Sequence, residues 1–223
     1  MFLKNFKQEK EFIKSAVAYI QKICSSKKST IRIGLSGGST PKPVYEALSR
    51  DHNFDFSKIE FYQIDERYIP KNSKDSNYKM IYDSLIKKQS KKIKAFKYFD
   101  TSIPINESLK QYQQDLKKIP NLSLDLIILG MGNDGHVASI FPYSKAIATK
   151  KTTYHTQTNN FAVKDRLTVT FPVIMKSKKL LLLIKGKDKA QTLNDLLKSQ
   201  KSLKEWPAKK ILKHQNLHIY LCK

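Results

Sequence analysis

The stretch Leu124–His136, LDLIILGMGNDGH, decides the fold. Leu124–Leu129 is apolar with little alternation, which reads as a short strand covered on both faces, as in a parallel sheet. The glycine-rich turn after it occupies the place where parallel sheets bind ligands, beyond the carboxyl ends of their strands. Working outward, Ile31–Leu35 is a second buried strand and leads into SGGSTPK and a helix over Pro41–Leu48. Pro41 suits the first turn of that helix, where no N–H is missed. Further strands are expected at Ile59–Ile64, Ala95–Phe99, Arg166–Phe171, Lys179–Ile184 and Leu217–Leu221. Helices are expected over Glu9–Cys24, Ser76–Lys88, Ile105–Lys118, Asp188–Leu197 and Pro207–Leu212. Strands alternating with helices predict an α/β domain with a largely parallel sheet covered on both faces. No internal repeat or linker divides the 223 residues, so the expectation is one domain over 1–223, with an irregular excursion over the site at 143–161.

The chain has seven glycines, and each lies at or just after the end of an expected strand. Glycine lets a backbone turn tightly or approach a ligand closely. Ser36-Gly37-Gly38-Ser39-Thr40, ahead of a helix, offers backbone N–H groups and hydroxyls to a phosphate. The spacing is not that of a Walker loop. Gly130, Gly132 and Gly135 fit GxGxxG, but no acidic residue follows where a dinucleotide fingerprint needs one. Asp134 and His136 flank Gly135 on a tight turn, so both side chains can face one cavity. Of the five histidines only His136 has such a setting, and a neutral-range imidazole is suited to general-base work. His214 and His218 read as structural, since the residues between them form a turn into a strand and no third metal ligand is near. Asp65-Glu66-Arg67 directly follows the strand ending at Ile64, a poor sequence for a core and a good one for a site.

The formal net charge is +23, from 42 basic and 19 acidic residues, yet only four of the basic residues are Arg: Arg32, Arg50, Arg67 and Arg166. Nucleic-acid recognition favours the planar guanidinium. The lysine excess therefore reads as solvated helix faces, not as a specific nucleic-acid surface. An Arg inside a motif is correspondingly informative. No stretch reaches the length of a membrane span and no signal core opens the chain. Cys24 and Cys222 have neither disulfide-framework nor metal spacing. The expectation is a cytoplasmic protein without a membrane partner.

SGGSTPK, DERYIP with DSNY after it, GMGNDGHVASIFP, RLTVTFP and the GKDKA stretch, in this order, resemble the 6-phosphogluconolactonase family, which is related to the glucosamine-6-phosphate deaminases. The similarity runs from about Ile31 to Ala208. It implies a three-layer αβα fold with a mostly parallel, Rossmann-like sheet. It also implies hydrolysis of 6-phosphogluconolactone, a step of the oxidative pentose phosphate pathway, without metal or cofactor. His136 would be the general base that activates water against the lactone carbonyl. Asp65 and Asp134 would orient that base or the substrate's hydroxyls. Arg67, Arg166 and Lys189, with Ser36, Gly37, Gly38, Ser39 and Thr40, would hold the phosphate and stabilise developing charge. The alternative is the related deaminase and isomerase activity. That branch has Asp-Glu-Tyr where Arg67 stands here, and an acidic residue soon after its Asp-Gly-His turn, whereas 137–164 contains neither Asp nor Glu. Relative to the family pattern, Tyr143 replaces a usual Gly, and Asn133 and Val137 are also departures. The strand ending near Lys223 lacks the final helix expected of relatives.

Overall fold

The computed structural model describes residues 1–25 and 29–223. Its strands are β1 (Phe2–Phe6), β2 (Ile31–Leu35), β3 (Ile59–Gln63), β4 (Asp65–Arg67), β5 (Ala95–Lys97), β6 (Leu126–Leu129), β7 (Thr153–Gln157), β8 (Asp165–Val169), β9 (Leu180–Lys185) and β10 (Leu217–Cys222). Seven of them form one sheet in the order β1-β10-β9-β6-β2-β3-β5, and every pair in it is parallel. Its helices are α1 (Glu9–Ser25), α2 (Lys42–Ser49), α3 (Asn77–Ile81), α4 (Lys87–Gln89), α5 (Ile105–Lys117), α6 (Phe171–Ile174), α7 (Lys187–Lys198) and α8 (Lys209–Leu212). A π-helical stretch, Tyr82–Ile86, joins α3 to α4, so the helix expected over Ser76–Lys88 is continuous but locally widened. Ser76 caps it, its Oγ accepting the Lys79 N–H at 3.1 Å.

Successive strand residues face opposite sides, and apolar side chains on both sides make two cores. Leu126, Ile128, Leu181 and Leu183 pack with Phe12, Ala16 and Ile20 of α1 and Val44, Tyr45 and Leu48 of α2. Ile127, Leu129, Leu180 and Leu182 pack with Tyr112 and Leu116 of α5 and Leu193 and Leu196 of α7. This is the three-layer αβα arrangement. No helix among the described residues is long and apolar enough to cross a membrane.

Two local expectations change, and two strands form where none was expected. The N-terminal segment forms β1, which pairs along β10 from Phe2↔His218 to Phe6↔Cys222, so the strand that ends the chain is flanked on its outer side. The strand expected over Arg166–Phe171 ends at Val169, because Phe171 and Pro172 open α6, with Pro at its first turn. The stretch 143–161, expected to be irregular, contains β7. Finally, Asp65–Arg67 forms a strand of its own: β4, β8 and β7 make a separate three-stranded antiparallel sheet, in the order β4-β8-β7.

Candidate active site

A cavity of about 490 Å³ opens at the carboxyl edge of β2, β3 and β6, where the loops after these strands converge. Its lining includes Ser36, Gly37, Gly38, Ser39, Asp65, Arg67, Asp134, His136 and Lys189. The segment 36–39 and His136 therefore share one space, although a hundred residues separate them in the chain.

The turn after β6 brings Asp134 and His136 together. Its amides close it internally: Gly132 N–H donates to the His136 carbonyl and Gly135 N–H to the Gly132 carbonyl, both at 3.0 Å. Gly135 has φ +76°, a conformation glycine adopts without steric cost. A side chain at Gly132 would lie 2.2 Å from the imidazole, so its absence lets the ring fold back over the turn. There His136 Nδ1 meets Asp134 Oδ1 at 2.5 Å. Asp134, not Asp65, is thus the imidazole's partner. The carboxylate fixes the tautomer with Nδ1 protonated and leaves Nε2 as the basic nitrogen. Burial alone would raise the Asp134 carboxyl, but the hydrogen bond and charge of His136 outweigh it and hold the group below the ordinary carboxylate value. Phe141 lies 4.8 Å from the imidazole centroid and Phe161 meets it edge-on at 5.6 Å.

Asp65 has a different task. Its Oδ2 accepts the Ser139 hydroxyl at 2.7 Å and its carbonyl accepts the Asn77 side-chain amide at 2.9 Å. Next to it, the buried Glu66 carboxylate gathers the N–H groups of Arg67, Asn77 and Tyr78, the Ser76 hydroxyl and the Gln63 amide, all within 3.1 Å. It knots β4 to the start of α3. Desolvation raises its pKa in spite of these donors. The geometry, with five donors on one carboxylate, is that of the ionised form.

Another part of the cavity is lined by Ser36–Ser39, Arg67 and Lys189. The Ser36 amide belongs to the sheet edge, bonding the Ile128 carbonyl at 3.2 Å. Among the described residues no backbone carbonyl takes the amides of Gly37, Gly38 and Ser39. Gly37 must be glycine, because an added Cβ would lie 1.9 Å from the Asn77 side-chain oxygen. Arg67 donates through Nη1 to the Asp75 carbonyl at 2.6 Å, while its Nε is buried without a partner. Ser36 Oγ and Asp134 Oδ2 are likewise unsatisfied. Three orphaned polar groups at one cavity are the mark of a polar ligand site. Burial lowers the pKa of the Lys189 ammonium.

Two residues expected here are not part of the cavity lining. Thr40 is buried in the turn entering α2. Arg166 is buried on β8, where its Nε donates to the Val163 carbonyl at 3.0 Å and its guanidinium lies 5.6 Å from the Phe161 ring centroid. The register of the small sheet nevertheless sets Arg166 directly opposite Arg67. Desolvation, then the Arg67 charge, lowers the Arg166 pKa. Of the glycines, only Gly37, Gly38, Gly130 and Gly132 line the cavity. Gly34 lies inside β2, where a Cβ would stand 2.5 Å from Ile64 Cδ1, so it serves packing. Sequence reasoning missed Asn77, Asn160 and Phe161 on the wall. Asn77 could have been found through the DSNY motif, whereas Asn160 and Phe161 carry no local signal. His214 is structural, its Nε2 2.8 Å from the Ser177 carbonyl. Among the described residues no group of three or more His, Cys, Asp or Glu could hold a metal ion.

An αβα frame with an Asp–His pair, unpaired cations and a glycine-rich turn at the carboxyl edge of its sheet defines an enzyme of the sugar-phosphate isomerase and lactonase class. Residues 7–220 match the glucosamine-6-phosphate isomerases/6-phosphogluconolactonase family, and the chain belongs to it. A Dictyostelium discoideum protein described as a probable 6-phosphogluconolactonase is 38% identical over 222 residues, 96% of this chain and 94% of the relative. The 6-phosphogluconolactonase of Thermotoga maritima is 37% identical over 171 residues, 77% of this chain and 76% of its own. A crystal structure of 6-phosphogluconolactonase from Thermotoga maritima superposes with a TM-score of 0.87 at 30% identity, covering 100% of this chain and 99% of that one. A monomeric glucosamine-6-phosphate deaminase shares the fold at a TM-score of 0.86 and 22% identity, so the fold does not separate the two activities.

Proposed function

We propose that the whole chain, acting as one catalytic domain, hydrolyses 6-phosphogluconolactone to 6-phosphogluconate. The observation that carries this reading is the Asp134–His136 pair at 2.5 Å, sharing a cavity with Ser36–Ser39, Arg67 and Lys189. The phosphate binds the free amides of Gly37–Ser39, with Arg67 and Lys189 supplying charge. This anchors the sugar so that its lactone carbonyl lies over the imidazole. His136 Nε2 takes a proton from water as the water oxygen bonds to the carbonyl carbon, and Asp134 steadies the resulting imidazolium. Negative charge develops on the former carbonyl oxygen, and nearby cations and N–H donors stabilise it. Collapse of this intermediate breaks the bond to the ring oxygen, which leaves with the proton from His136. The products are a carboxylic acid, ionised at neutral pH, and a hydroxyl, and the base is regenerated.

The deaminase alternative has less support. The first carboxylate after the catalytic turn outside it, Asp165, is engaged by His155 at 2.7 Å and Gln157 at 2.9 Å. The test is hydrolysis of freshly prepared lactone, with His136→Ala expected to lose about 10³-fold in kcat. A wild-type rate no higher than spontaneous opening rejects the proposal, and ammonia release from glucosamine 6-phosphate replaces it with the alternative.

A further inference from the structure

The catalytic turn continues into an arch, 135–143, whose backbone is held far from its relaxed state. Gly135, Ala138 and Tyr143 have φ of +76°, +53° and +61°. Two of these are not glycine, and side chains adopt the left-handed region only where surrounding structure enforces it. Tyr143, which replaces a glycine of the family pattern, thus holds a φ that a side chain resists.

One segment grips the arch at both feet. At the first foot, Ala208 N–H donates to the Gly135 carbonyl at 2.9 Å. There too the Trp206 indole lies so close to Gly135 that a Cβ would stand 2.8 Å from Cε3. At the second foot, Tyr143 N–H donates to the Lys204 carbonyl at 2.7 Å. The segment is itself fixed: Trp206 N–H bonds the Ser202 carbonyl at 3.0 Å, and Trp206 packs on the main core. Between the feet lie His136, Phe141 against its ring, and Ser139, whose hydroxyl holds Asp65. The indole is that of the sole tryptophan of the chain, and it is not part of the cavity lining.

We infer that segment 202–208 is a brace for the acid–base pair and that Trp206 is a positioning residue, acting through Gly135 on the Asp134–His136 geometry. The inference rests on His136 being the base of the proposed reaction. If the indole recedes, the turn relaxes backward and the imidazole moves away from the carbonyl. A displacement of about 1 Å costs on the order of 100-fold in rate without weakening phosphate binding.

The experiment compares Trp206→Leu, which keeps apolar bulk without a flat face, with Trp206→Phe, which keeps the face. With the lactone, Trp206→Leu should lose about 10- to 100-fold in kcat with KM changed less than about threefold, and Trp206→Phe should recover most of the loss. Amide hydrogen exchange gives a readout independent of substrate. Protection of the Gly132 and Gly135 N–H groups should fall in Trp206→Leu relative to core strands such as β6, and return in Trp206→Phe. Wild-type kcat in Trp206→Leu, or loss of kcat with unchanged protection of the turn, overturns the brace. If the wild-type protein does not hydrolyse the lactone, the base assignment fails instead, and the exchange comparison alone decides whether the brace exists.

Discussion

The two sheets of this molecule solve opposite problems. The seven-stranded parallel sheet buries aliphatic side chains on both faces: Leu126–Leu129 and Leu180–Ile184 are all fully buried. The three-stranded antiparallel sheet contributes buried charge. On it Arg67 stands directly opposite Arg166, beside the buried Glu66 and Asp65. Like charges across a strand pair are destabilising, and charged groups are costly to bury. The large sheet therefore supplies the stability that the small sheet consumes, and the cavity lies between them. A site that must hold an anion gains from such cations, because they are desolvated and oriented before the ligand arrives.

The contrast can be broken at either sheet. The largest effect belongs to the frame: Leu182→Ala in β9, a fully buried residue paired with Leu129 and Ile219, should cost about 3 kcal/mol in denaturant unfolding. Its kcat/KM, measured where the variant is folded, should change little. At the small sheet, Arg67→Ala should lose about 100-fold in kcat/KM, mostly through KM. In phosphate-free buffer its melting temperature should equal or exceed the wild-type value, because a like-charge pair has been removed. Inorganic phosphate should raise the wild-type melting temperature and leave the variant nearly unmoved. A variant that melts well below wild type without phosphate would show that the arginine pair is not strained.

The smallest effect is in the pH dependence of stability. Asp134 has its folded pKa below the ordinary carboxylate value. Its stabilising contribution is therefore present above the unfolded value and is lost as pH falls through the lowered folded one. Melting temperatures recorded on acidification should fall less steeply for Asp134→Asn than for wild type. Parallel curves would mean that the Asp134–His136 bond does not stabilise the fold.

What could be read beforehand divides along the same line. The strands of the parallel sheet and the helices between them announce themselves through local chemistry: runs such as LIIL and LLLLI cannot rest against water, and helix faces such as Phe12, Ala16 and Ile20 repeat at helical spacing. Asp134, Gly135 and His136 are adjacent in sequence, so their pairing on one turn was also within reach. Of the small sheet only β8 gave such a signal, through the alternation that begins at Arg166. β4 is three residues of Asp, Glu and Arg, a sequence without strand character that is held by pairing with β8 and by the donors converging on Glu66. β7 lies in a stretch without apolar alternation, and β1 is mostly exposed, so neither carries a pattern of its own.

The sequence by itself therefore determined the αβα frame, the glycine-rich loops at its carboxyl edge and the placement of Asp134 and His136 on one turn, because each depends on neighbours within a few residues. Only the tertiary structure decided that Asp65 holds Ser139, that Thr40 and Arg166 are absent from the cavity lining, and that Trp206 packs against Gly135. Those outcomes depend on contacts between segments tens of residues apart. Such contacts are set by how the two sheets pack, and no local pattern encodes them.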